Sequence, residues 1–234
     1  MQNDGFDRRA FLKSAVAGGA AAATAVIPQT AQAQAVAAPA ATSAGYAFLN
    51  PEEAAFVEAL VDHMVPADAL TPKGTDLGLN TFIDRALAGG WGKGDRLYMQ
   101  GPWKPGVPSQ GYQLPLTPAE LYRNGIVAAN AHCVKTYKKT FDKITEAERE
   151  EFLLALQAGK VTFENGPPAR AFFTQAYQTV MEGMFADPMY GGNKNKAGWK
   201  LIGFPGVIAV NYQNVEKYRD KPFPHNPVSI TDMS

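Results

Sequence analysis

Helix starts are written into this chain repeatedly, and they bound what it can fold into. Asn50-Pro51-Glu52-Glu53 supplies a capping residue, a proline at the first helical position and two acids in the first turn. Thr117-Pro118-Ala119-Glu120 repeats the pattern as a capping box, and Thr145 with Glu148 forms a second box. Behind each start runs an apolar stripe at helical spacing. The stripes are Phe56, Leu60 and Met64 in the first; Leu121, Ile126, Ala129, Cys133 and Tyr137 in the second; Phe152, Leu153 and Leu156 in the third. A shorter helix is expected around Leu79, Phe82, Ile83 and Leu87, ended by Gly89 and Gly90. A further one is expected along Phe172, Phe173, Ala176, Val180, Met184 and Phe185, ended by Pro188. No run of strands is apparent. The expected class is mainly α, a small irregular helical bundle of about five helices with long loops rich in Gly, Pro and aromatics.

Two segments break the helical grammar. Residues 91–116 hold Trp91, Tyr98, Trp103 and Tyr112 among glycines and prolines with no sustained period. Such an insert in a compact domain is uncommon, and its aromatics need a surface to lie on, this domain's or a partner's. From Met189 onward helix signals are few, and Tyr190, Trp199 and Phe204 stand among Gly, Asn and Lys.

The N-terminus reads as an address. Arg8-Arg9 followed by Phe11, Leu12 and Lys13 precedes a weakly apolar, alanine-rich run. This has the look of a twin-arginine export signal, a receptor-read route for proteins already folded. The run falls short of a membrane span. Ala31-Gln32-Ala33 fits a small-x-small cleavage site, and Ala33-Gln34-Ala35 is the second option. The expected organisation is a signal over residues 1–33, a flexible lead-in over 34–45 and a single helical domain over 46–234, with the product in the bacterial periplasm.

Chemistry is sparse. The formal net charge is zero and no basic stripe appears, so nucleic acid is not an expected partner. The one cysteine, Cys133, cannot form an internal disulfide or hold an iron–sulfur cluster. His63, His132 and His225 are far apart in sequence and lack zinc-motif spacing, so no metal site is expected. Neither phosphate-loop nor dinucleotide-binding glycine patterns occur. Neither catalytic nor cofactor-binding residues are expected in this chain.

The segments "FLNPEEAAFVEALVDHMVP" (residues 48–66) and "PMYGGNKNKAGWKLIGFPG" (residues 188–206), together with the Arg8-Arg9 leader, resemble the gluconate 2-dehydrogenase subunit 3 family. These are small subunits of periplasmic FAD-dependent dehydrogenases of the gluconate, fructose, sorbitol or glucose type. The resemblance implies a heterotrimer held at the inner membrane. A large subunit of the glucose–methanol–choline oxidoreductase type carries FAD and oxidises a sugar or sugar acid, and a multihaem cytochrome c takes the electrons. The small subunit has no redox centre; it bears the signal read by the twin-arginine translocase and helps the large subunit mature.

On that resemblance Tyr190, Gly191, Gly192, Asn193, Trp199, Phe204 and Pro205 are the expected partner contacts, within an obligate interface above about 2,000 Å². The alternative at this point is that Trp199 and Phe204 close the domain's own core. An independent enzyme and a stand-alone periplasmic carbohydrate-binding or scaffold protein are the rival functions.

Overall fold

The computed structural model describes residues 45–104, 106–224 and 226–233. The leader residues Arg8, Arg9, Phe11, Leu12 and Lys13, both cleavage options and His225 lie outside the described residues. Five helices carry the core: α1 (Pro51–Met64), α2 (Leu79–Ala88), α3 (Pro118–Tyr137), α4 (Glu146–Gln157) and α5 (Ala169–Phe185). Three short helices follow: α6 (Ala197–Ile202), α7 (Ile208–Asn211) and α8 (Asn214–Lys217). Among the described residues there is no strand, only a parallel bridge pairing Gly206 with Val228. The mainly α class read from the sequence is therefore the one observed. The short helices in the tail were not expected; none has a side-chain cap, so tertiary packing rather than local signals sets them.

The helix starts form as spelled. Thr117 accepts from the Glu120 amide and Thr145 from the Glu148 amide, each glutamate reaching back to its cap. Asn50 and Glu53 make a third capping box. Helix α5 packs against α2, α3 and α4, and α1 meets the same three from the other side. Between them Phe56, Phe141, Phe152, Phe163, Phe172 and Tyr122 form one aromatic cluster, with neighbouring centroids 4.5–6.3 Å apart. A tight crossing in the core is at Gly125 on α3. A Cβ there would lie 2.2 Å from Cδ2 of Phe172, so α3 and α5 cross at this distance only because the residue is glycine.

Two buried acids fasten the start of the domain. Asp84 of α2 accepts the amides of Ala47 (2.8 Å), Phe48 (2.8 Å) and Leu49 (3.0 Å). Glu53 of α1 accepts from Arg123 Nε of α3 at 2.8 Å, and the same guanidinium lies 4.3 Å from the Phe48 ring centroid. Burying either carboxylate is tolerable because hydrogen bonds satisfy its oxygens. The sequence signals Glu53 as the capping partner of Asn50 but not its pairing with Arg123, and nothing local signals Asp84.

Candidate partner-binding surface

The segment between α5 and the end of α6 is a loop folded back on the bundle. Asp187 Oδ1 caps the turn Pro188–Tyr190 by accepting the Met189 amide. Asn193 then sits fully buried in the left-handed region, with φ 47°. Its Nδ2 donates to the Ala186 carbonyl at 2.8 Å, and its Oδ1 accepts the Gly198 amide at 2.9 Å. One side chain thus joins the loop's entrance to its exit. Asn195 and Lys196 also have positive φ, at 58° and 57°. Three left-handed non-glycine residues in so short a stretch persist only where the surroundings over-determine them.

The glycines and the tryptophan of this loop serve the chain itself. A Cβ on Gly192 would fall 2.3 Å from the Gly183 carbonyl oxygen, and one on Gly198 would fall 2.1 Å from that of Met184. The backbone that Gly192 and Gly198 approach is that of α5. Trp199 is 4% exposed; its Nε1 donates to the Phe185 carbonyl at 2.7 Å, and its ring meets Phe204 edge-on at 5.2 Å. Gly191, Gly192, Asn193 and Trp199, expected at a partner surface, are instead enclosed. The physical reason is closure: a loop of this length returning to α5 needs a buried ring and close backbone approach to stay shut. Tyr190 and Phe204 are exposed, and Pro205 is partly covered.

Two grooves flank this loop and the 91–116 insert. One, of about 710 Å³, lies between α2 and α5 and is lined by Phe82, Arg85, Trp91, Phe185, Met189 and Tyr190. The other, about 820 Å³, lies between the insert and α5, with Trp103, Lys104, Tyr112, Arg170 and Gln175 on its walls. In the insert Trp91 and Tyr112 pack on the core, and the Tyr112 hydroxyl donates to the Leu116 carbonyl. Tyr98 is exposed, and Trp103 stands partly open at the mouth of the larger groove.

The titratable residues singled out in the sequence occupy structural settings. His63 Nε2 lies 2.8 Å from Glu150, and His132 stacks on Phe152 at 5.3 Å, where burial first and Lys135 second hold its pKa below the ordinary value. Burial, with Glu148 nearby, pushes the Cys133 thiol up to about 12. Among the described residues no three His, Cys, Asp or Glu side chains gather as a metal site, and no helix is long and apolar enough to cross a membrane.

Beyond Phe204, which the sequence singles out, the structure exposes an apolar run of Leu201, Ile202, Ile208, Val210, Tyr212 and Val215. Its signal was available: residues 201–215 contain no charged side chain. Comparison with curated proteins and with solved structures finds no match. The family pattern described as gluconate 2-dehydrogenase subunit 3 does match, over residues 51–206, from the first residue of α1 to the end of the closed loop. The chain belongs to the gluconate 2-dehydrogenase subunit 3 family, and its setting is a dehydrogenase complex in which other subunits are its partners.

Proposed function

We propose that the chain is a non-catalytic small subunit that binds an FAD-bearing large subunit of the glucose–methanol–choline type. It brings that subunit to the periplasm, using the Arg8–Lys13 leader and the twin-arginine translocase, and supports its maturation and stability. A multihaem cytochrome c subunit completes the heterotrimer and holds it at the inner membrane. FAD and haem belong to those partners. The substrate is a sugar or sugar acid recognised in the large subunit.

Membership of the family over residues 51–206 is the observation that carries this reading. Exposed Tyr190 and Phe204 add to it, because large aromatics are favoured where partners dock. The test is co-expression with the large subunit, followed by pull-down and flavin absorbance of the periplasmic fraction. Arg8→Lys with Arg9→Lys is expected to leave both chains in the cytoplasm. Flavin-loaded large subunit reaching the periplasm in a strain deleted for this chain overturns the proposal.

A second reading has one observation in its favour. The 820 Å³ groove combines Trp103 and Tyr112 with Lys104, Arg170 and Gln175, a lining suited to a carbohydrate in a stand-alone periplasmic binding protein. Sugar binding by the isolated chain is its test.

A further inference from the structure

Residues 201–215 are unusual in being apolar, exposed and held still at once. Leu201, Ile202, Phe204, Ile208, Val210, Tyr212 and Val215 are 37–76% exposed. Together they leave on the order of several hundred Å² of largely apolar surface open to water. Patches of about 300–600 Å² on a monomer are often functional.

Their backbone is fixed from beneath. The Val207 amide donates to the Val228 carbonyl (2.9 Å) and the Val228 amide to the Pro205 carbonyl (3.1 Å). Asn211 Nδ2 donates to the Val207 carbonyl at 3.0 Å. The strap that supplies Val228 is itself pinned, by the Ile230 amide donating to Asp187 Oδ2 at 2.9 Å and by the Lys196–Asp232 ion pair. Phe204 leans on buried Trp199, so the ledge is rooted in the closed loop. The Val207 amide and the Asn211 side chain are hydrogen-bonded, while the seven apolar side chains stand open to water. Ordering a docking surface before its partner arrives removes part of the entropic cost of association.

Resting on the reading of this chain as a small subunit, we infer that the ledge Leu201–Val215 is the surface that seats an apolar, uncharged face of the large dehydrogenase subunit. The charges around it favour a protein over a lipid surface. Lys200 borders one end, and Glu216, Lys217, Arg219, Asp220 and Lys221 border the other. An uncharged centre with a rim of both signs is the anatomy of a protein interface, whereas a membrane-surface element carries a cationic polar face on a continuous amphipathic helix. Here α7 and α8 have four residues each. The family match ends at residue 206, so most of the ledge lies beyond the stretch by which the family is recognised.

The test is retention of the large subunit by the tagged full-length chain after co-expression. Ile208→Glu and Tyr212→Glu, singly and together, place a charge on the exposed face. Val127→Glu, on an exposed part of α3, is the control. Thermal unfolding of each purified variant checks that its own fold is intact, and Ile208→Ser substitutes if a glutamate variant unfolds. Retention is expected to fall at least about tenfold for the ledge variants and to hold for the control. Undiminished retention by a folded double variant overturns the inference and leaves the small-subunit reading standing. Failure of the wild-type chain to retain the large subunit overturns both. Ledge variants that lose self-association, or lose flotation with anionic vesicles, while keeping the large subunit also overturn it, and give the face to a second copy or to a membrane.

Discussion

Replacing Asn193 by alanine removes a side chain that spans the mouth of the closed loop. The Ala186 carbonyl and the Gly198 amide would each lose a hydrogen bond inside the protein. A buried polar group left unpaired costs about 1–3 kcal/mol. Alanine must also hold the left-handed backbone that asparagine tolerates, adding about 1 kcal/mol. With two groups unpaired the sum is about 3–7 kcal/mol, a large share of the ~5–15 kcal/mol that stabilises a typical domain. Thermal unfolding followed by circular dichroism should register a fall in Tm of roughly 6–28 °C for a chain of this size. Asn193→Gly separates the two contributions: it loses the same hydrogen bonds but not the backbone freedom, so it should lie above Asn193→Ala by about 1 kcal/mol. Asn193→Asp keeps an acceptor for Gly198 but turns an oxygen toward the Ala186 carbonyl, and should be no better than alanine. An Asn193→Ala protein within about 1 kcal/mol of wild type, or a glycine variant less stable than the alanine one, refutes this account of the loop.

Gly125→Ala should destabilise despite a helix-propensity gain of about 1 kcal/mol, because the added methyl meets the Phe172 ring at 2.2 Å and overpacking of this kind costs about 1–3 kcal/mol. Phe172→Leu in the same chain should recover part of the loss in chemical denaturation, and no recovery would mean the clash is not with that ring. Asp62 titrates low although burial alone pushes it up, because Lys73 and the amide and hydroxyl of Thr75 hydrogen-bond its carboxylate. Its folded pKa is depressed, so the stability it contributes is present above about pH 4 and lost as pH falls through the folded value. The stability gap between wild type and Asp62→Asn, measured across pH 2–7, should therefore close on the acid side, and a gap that does not vary with pH would contradict the assignment.

What could be read from the sequence was what is local. The capping boxes at Thr117 and Thr145 and the stripes through Phe56, Ile126, Phe152 and Phe172 depend on neighbours three or four residues apart, and they formed as expected. Asn193 and Trp199 stood out in the sequence, but their surroundings come from α5, through turns that composition does not encode. Asp84 gave no signal at all, since its three donors lie 35–37 residues earlier in the chain. The Leu201–Val215 ledge could be seen as an uncharged run, but whether such a run is core or surface is decided by the Val228 strap from the far end of the chain.

Three backbone amides gripped by one carboxylate also determine where a load enters the molecule. Tension applied through the residues that precede the domain meets Tyr46 first, whose hydroxyl donates to Glu58 of α1 and accepts from Asn80 of α2, and then Asp84, before it reaches the first turn of α1. A pull on the leading chain is therefore borne first by the Tyr46 hydroxyl and the rivet at Asp84, both of which hand it to α2, rather than by the first turn of α1 alone.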